Sequence, residues 1–131
     1  MKISAFKISY KGKCVLDFPG AELQSGKIYA VIGANGSGKS SFAKALSGII
    51  RTDSGIKPVD ENIPLGYMPQ KSYGYRMKLI SNLFLASKDE ARAQRLLAAL
   101  NLTELKNQRA DKLSGGETAK MALARLMMKD F

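Results

Sequence analysis

Eight consecutive residues, Gly33-Ala34-Asn35-Gly36-Ser37-Gly38-Lys39-Ser40, follow the spacing G-x-x-x-x-G-K-S. Each residue type in this pattern suits the binding of a phosphate chain. Phosphate oxygens need several donors converging on one point, and the successive backbone N–H groups of a curled loop supply them. Gly36 and Gly38 let the backbone curl and approach the anion closely. Lys39 would place an ammonium on the outer phosphates, and the Ser40 hydroxyl would ligate Mg²⁺. Asn35, Ser37 and Ser41 complete the set of loop residues assigned to the ligand. A helix starting near Lys39 would direct its positive end to the same spot.

The flanking elements must hold that loop. Ile28–Ile32 is a nearly continuous apolar run, which predicts a strand buried on both faces of a parallel sheet. After the loop, Phe42, Ala45, Leu46 and Ile49 recur at helical spacing, predicting a helix from about Lys39 to Ser47. Upstream, Ile3–Tyr10 alternates with Phe6, Ile8 and Tyr10 on one face. A turn at Lys11-Gly12-Lys13 and a second short strand at Cys14–Phe18 make the opening a hairpin, ended by Pro19-Gly20. Gln24-Ser25-Gly26 and Thr52–Gly55 read as turns, and Leu65–Met68 as a short strand. From Lys71 the period becomes helical, with candidates at Met77–Ala86 and from a Ser87-x-x-Glu90 capping box to about Leu100. Thr103 is placed as the cap of a short third helix. Ser114–Glu117 opens the last, with Met121, Ala124 and Met128 on one stripe. The fold class is α/β with a helical insertion.

Composition bounds the chemistry further. The chain has 131 residues, 45% hydrophobic and 24% charged, an ordinary globular balance for one small domain. It contains no histidine, which excludes Ser–His and Cys–His nucleophilic pairs and any His-ligated metal within these residues. One cysteine, Cys14, forms no internal disulfide framework and fits a reducing compartment. No apolar run approaches the roughly 18 residues of a membrane span, and Met1-Lys2-Ile3-Ser4 does not open a signal peptide. The net charge of +10 is spread along the chain: residues 1–60 carry 9 basic and 4 acidic side chains, residues 61–131 carry 12 and 7. With no Lys/Arg run and no aromatic-basic repeat, nucleic acid is not the expected partner.

The loop alone names neither the base nor the reaction. The Asn-Lys-x-Asp element of guanine-specific proteins is absent, which favours adenine. Tyr10, 23 residues before Gly33, could stack on an adenine face. Taken by itself it reads rather as a strand-terminal tyrosine packed on its hairpin. Ser114-x-x-Glu117, taken alone, is simply a capping box.

Together, however, these pieces resemble the ABC-type ATPases. Leu113-Ser114-Gly115-Gly116-Glu117 is similar to that family's signature, and Met121–Arg125 to the helix after it. Leu65-Gly66-Tyr67-Met68-Pro69-Gln70 looks like the strand ending in its Q-loop glutamine, and Tyr10 falls at its adenine-stacking aromatic. The resemblance runs from Ile3 to about Met128. It implies a P-loop NTPase fold in which residues 71–112 form a helical subdomain of a single domain over residues 1–131. It implies MgATP bound by Lys39 and its loop, with Gln70 approaching the Mg²⁺, and head-to-tail pairing with a second such domain. Ser114, Gly115, Gly116 and Glu117 would then meet a nucleotide held by the partner. The segment Lys71-Ser72-Tyr73-Gly74-Tyr75-Arg76 lies where transporters of this family meet a membrane permease, placing the chain at the inner face of a membrane.

The resemblance also implies residues beyond Phe131: an apolar strand ending in Asp-Glu, and a histidine. Without them the sheet is expected to be incomplete, and the chain alone to bind ATP weakly and hydrolyse it negligibly. A cut-down fragment, a truncated reading frame and a half completed by a second polypeptide all fit that pattern. Two further functions compete with a transporter subunit. One is a cytosolic ribosome-associated ABC protein, suggested by Glu117 in place of the commoner Gln. The other is a non-catalytic ATP-binding module. A chromosome-maintenance ATPase is excluded, because the 74 residues between Lys39 and Ser114 leave no room for a long coiled coil.

Overall fold

Lys11 and Gly12 both take left-handed backbone, with φ of 50° and 77°. Such a two-residue turn matches the twist of antiparallel strands. The chain accordingly reverses between β2 (Phe6–Tyr10) and β3 (Lys13–Phe18), as the sequence predicts. A register shift follows Ile8: Ile8 pairs with Leu16 but Ser9 with Cys14, so Val15 is the extra residue of a bulge. Phe6 and Ile8 are buried, whereas Tyr10, beyond the bulge, is exposed. A second antiparallel pair joins β1 (Lys2–Ile3) to β4 (Ala21–Glu22). Gly20 makes that return possible, since a Cβ there would stand 3.1 Å from the Ile3 carbonyl oxygen at a φ of 97°.

All 131 residues are described in this computed structural model, as two compact units, Met1–Tyr67 and Met68–Phe131. In the first, α1 (Lys39–Leu46) packs its apolar stripe on the hairpin. Phe42 meets Phe18 and Phe6 with ring centroids 4.8 and 6.0 Å apart, and Ile3, Phe6, Ile8, Ala45 and Val59 are buried around them. Asp53 fastens the turn at Thr52–Gly55 beside β2, its carboxylate accepting both the N–H and the hydroxyl of Ser9 at 2.7 Å.

Two predicted strands do not form. Ile28–Ile32 lies in no ladder, and Ile28 and Ile32 are 101% and 90% exposed. Hydropathy marked a strand, but a strand needs a neighbouring backbone, and no backbone hydrogen bond joins this run to any segment of the chain. Leu65–Met68 is likewise unpaired. The sheet is therefore not closed but consists of two separate two-stranded pieces.

The second unit is helical, with α2 (Leu79–Phe84), α3 (Glu90–Ala99) and α4 (Gly115–Met127) around a core. Leu79, Leu83, Leu97, Leu102, Met121, Ala124 and Met128 are among its buried members, including the predicted stripe of α4. α3 begins two residues later than a Ser87 cap would place it. Asp89 is the N-cap and accepts the Arg92 N–H at 2.8 Å, while Ser87 Oγ accepts the Asp89 N–H. Thr103 lies inside a single 3₁₀ turn, Thr103–Leu105, capped by Leu102. At its far end α4 is held by Arg92, which donates to the carbonyls of Met127 and Lys129 at 2.7 and 3.1 Å. No helix is long and apolar enough to cross a membrane.

Candidate functional site

The phosphate-type loop is built in the first unit. Gly38 is the N-cap of α1 with a φ of 90° and offers no side chain to cap the helix. The N–H groups of Lys39, Ser40 and Ser41 therefore have no acceptor within the helix, and none from elsewhere in the chain. No acidic side chain sits in the first turn, and no Asp or Glu occurs between Glu22 and Asp53. The positive end of the helix is thus left uncompensated.

Around it, Ser37 N–H donates to the Ala34 carbonyl at 3.2 Å and closes the turn. Lys39 Nζ folds back and donates to the carbonyl oxygens of Gly33 and Ala34 at 2.8 and 2.7 Å. Two glycines stand at close approaches, Gly38 against backbone and Gly33 against a serine hydroxyl that can rotate. A Cβ on Gly33 would stand 2.7 Å from Ser37 Oγ, and one on Gly38 would stand 3.2 Å from the Val15 carbonyl oxygen, where β3 backs the loop. Gly33, Asn35, Gly36, Ser37 and Ser40 are exposed, and Ser41 is half-buried in the first turn of α1. Unsatisfied amides, one ammonium and no carboxylate fit a polyanion. No group of three or more His, Cys, Asp or Glu gathers to hold a metal. A Mg²⁺ at Ser40 would therefore take its remaining ligands from phosphates and water, the usual habit of that ion.

The second motif stands at the start of α4. Ser114 is its N-cap, and Glu117 completes a reciprocal capping box. Donation from the Ser114 N–H, and then from its hydroxyl, holds the Glu117 carboxyl below its ordinary range. Gly115 and Gly116 are exposed, and a Cβ on either would meet nothing within 4 Å. Tyr10 is exposed at the end of β2 opposite Lys13, on the same hairpin whose β3 backs Gly38. Gln70 is exposed near the beginning of the second unit.

Sequence reasoning missed an aromatic cluster just after Gln70. Tyr73 and Tyr75 meet edge to face at 5.4 Å, and the Arg125 guanidinium lies 5.4 and 5.6 Å from their ring centroids. Asn82, a polar residue within the predicted helix Met77–Ala86, is fully buried. Its side chain accepts the Tyr75 N–H at 2.9 Å and donates to the Tyr75 carbonyl at 3.2 Å. A polar residue amid apolar helix positions was the one available signal.

A glycine-turned loop with a lysine at the head of an uncapped helix, backed by strands, defines a P-loop architecture. Comparison with known proteins narrows it. The family model described as ABC transporter matches residues 19–131. The zinc import ATP-binding protein ZnuC of Vibrio vulnificus is 33% identical over 138 aligned positions, covering 98% of this chain and 51% of its own length. Among solved structures, that titled ATP binding subunit of ABC transporter superposes with a TM-score of 0.80 at 22% identity, covering 97% of this chain and 61% of that one. An archaeal ribosome recycling factor, aABCE1, solved with ribosomal stalk protein aP1, gives 0.80 at 23% identity, covering 99% of this chain and 26% of its own. The chain belongs to the ABC transporter family, and its fold is that of an ABC ATPase domain. It spans about half the length of the curated relatives it matches.

Proposed function

We propose that the chain is ATP-binding machinery of an ABC transporter. The observation that carries this reading is the uncapped start of α1, with Lys39 beside it and no carboxylate in its first turn. To grip a triphosphate, Lys39 exchanges the carbonyls of Gly33 and Ala34 for phosphate oxygens, and the unengaged amides of Lys39, Ser40 and Ser41 donate to the same group. Ser40 would hold the Mg²⁺, which supplies neutralisation of phosphate charge when bound. Tyr10 is the candidate for stacking on adenine.

Ser114, Gly115, Gly116 and Glu117 stand open at the head of α4, suited to meet a nucleotide held by a second ABC domain in head-to-tail pairing. ATP would then close the pair and hydrolysis release it, driving a membrane permease from the cytoplasmic face. The ZnuC relative, an ATP-binding protein of import by its name, supports the transporter over a ribosome-associated reading. These 131 residues alone are proposed to bind ATP without appreciable turnover, because they contain neither a histidine nor an apolar strand closed by Asp-Glu.

The test is titration of a fluorescent ATP analogue with Mg²⁺ into the chain and into Lys39→Ala. Saturable binding that Lys39→Ala weakens by about tenfold or more supports the site. Equal binding by both sinks it. Phosphate release by the chain above the Lys39→Ala background would overturn the proposed lack of turnover.

A further inference from the structure

We propose that Glu117 is a positioning residue that latches the Ser114 hydroxyl away from the partner's nucleotide, so that ATP-driven pairing must first break this contact. The proposal rests on the head-to-tail reading and adds a brake to it. Two helices present their starts to anions in that reading, and the charges at those starts differ. α1 has no acidic side chain in its first turn, whereas α4 carries Glu117 in its own. The positive end of α1 is left for an outside anion, while that of α4 is already met by a carboxylate of the same chain.

The latch has a definite geometry. Glu117 Oε2 accepts the Ser114 hydroxyl at 2.8 Å and the Ser114 N–H at 2.7 Å, and Ser114 Oγ accepts the Glu117 N–H at 3.3 Å. A serine has one hydroxyl hydrogen, and here the carboxylate holds it. The N–H groups of Gly115 and Gly116 have no acceptor in the chain. The head of α4 thus offers a partner's phosphate two free amides and a hydroxyl already engaged. Space is not the obstacle, since a Cβ on either glycine would meet nothing within 4 Å. No cation draws the carboxylate elsewhere, because none of the chain's ion pairs includes Glu117. The Ser114 donors hold that carboxyl below its ordinary range, so it is ionised at neutral pH. An incoming phosphate must therefore compete for the hydroxyl against a charged acceptor.

A neutral glutamine keeps the cap but accepts the hydroxyl less strongly, which supplies the test. The full-length protein is titrated with Mg²⁺ and the slowly hydrolysed analogue ATPγS, and pairing is followed by sedimentation velocity. Glu117→Gln should lower the analogue concentration at half-maximal pairing by about tenfold or more, the weight of one charge-assisted hydrogen bond. Ser114→Ala has no hydroxyl to release. In that background glutamine should gain less than about threefold and restore no lost pairing. An unshifted midpoint for Glu117→Gln would overturn the latch. So would an equal gain in both backgrounds, which would make Glu117 a bare charge acting directly on the phosphate. Lys39→Ala should abolish pairing in every variant, which ties pairing to nucleotide. Nucleotide-driven pairing indifferent to Glu117 removes the latch alone, whereas pairing without nucleotide, or none in any variant, removes the head-to-tail reading with it.

Discussion

Glu117 Oε2 accepts both donors of Ser114, the backbone N–H at 2.7 Å and the hydroxyl at 2.8 Å. The single hydroxyl hydrogen is thereby used within the capping box, and Ser114 must rotate before it can donate to anything outside. The same contact fixes the head of α4 and sets the Glu117 charge, so it can be probed through stability as well as through binding.

Acid should weaken the second unit through this contact. The Glu117 carboxyl is held below its ordinary value of 4.5, chiefly by the Ser114 N–H. A carboxyl depressed in the folded state contributes stability that is fully present above the ordinary value and is lost as pH falls through the folded one. Asp111, lowered from 3.8 by Arg109, acts in the same sense slightly further down. Urea midpoints measured from pH 7 to pH 3 should fall for the parent and fall less steeply for Glu117→Gln. Identical slopes would count against the capping contact as the cause. Ser114→Ala should cost about 1 kcal/mol at pH 7, the usual loss for a serine N-cap.

The loop makes a sharper prediction at Gly33. Alanine there places Cβ 2.7 Å from Ser37 Oγ, so the hydroxyl must leave its present rotamer and the loop loses that arrangement. Gly33→Ala should weaken nucleotide binding by about tenfold, equivalent to about 1.4 kcal/mol. Adding Ser37→Ala removes the clashing oxygen and leaves an ordinary contact of 3.5 Å to Ser37 Cβ, so the double variant should recover most of the affinity. Failure of that rescue, with the melting profile intact, would mean that the loop in solution is shaped differently.

Gly74→Ala should destabilise the second unit by about 1–3 kcal/mol, the range for overpacking a closed core. The obstruction is Ala110 Cβ at 2.6 Å, which cannot rotate aside, and Met121 Cε at 2.8 Å, which can move only within a filled core. A urea midpoint equal to that of the parent would show the Tyr73–Tyr75 segment to be loosely held. Asn82→Leu, which keeps the branched shape but withdraws the clamp on Tyr75, should cost at least as much, at about 1–3 kcal/mol for each buried polar group left unpaired.

What the sequence disclosed depends on how local each cause is. The turns at Gly36 and Gly38 and the helix start at Lys39 were legible because loop curvature dictates residue type at fixed spacing. The hairpin turn at Lys11-Gly12 and the Ser114 capping box were legible for the same reason. The α3 start was not, since Ser87 and Asp89 are both good caps two residues apart and only packing chooses between them. Arg125 and Tyr73 lie 52 residues apart, and no local pattern announces a contact at that separation. Ile28–Ile32 shows the opposite failure: a continuous apolar run predicted a strand buried on both faces, but hydropathy could not supply the backbone neighbour that makes a strand, and the run stands exposed.

That run carries the last prediction. Ile28, Tyr29, Val31 and Ile32 are 101%, 49%, 56% and 90% exposed in a segment with no ladder partner. An exposed apolar stretch with unpaired N–H and C=O groups is a template for another strand, and no Asp or Glu lies within it to discourage pairing. The isolated 131-residue chain should therefore self-associate with rising concentration, visible as a growing sedimentation coefficient. Ile28→Thr/Ile32→Thr keeps strand propensity while removing the apolar surface, so it should shift that association to higher concentration. It should also leave the nucleotide-free melting profile unchanged, because neither side chain belongs to the core of the first unit. Association equal to that of the parent would assign self-association to another surface, and a lowered melting temperature would mean that the run is covered in solution.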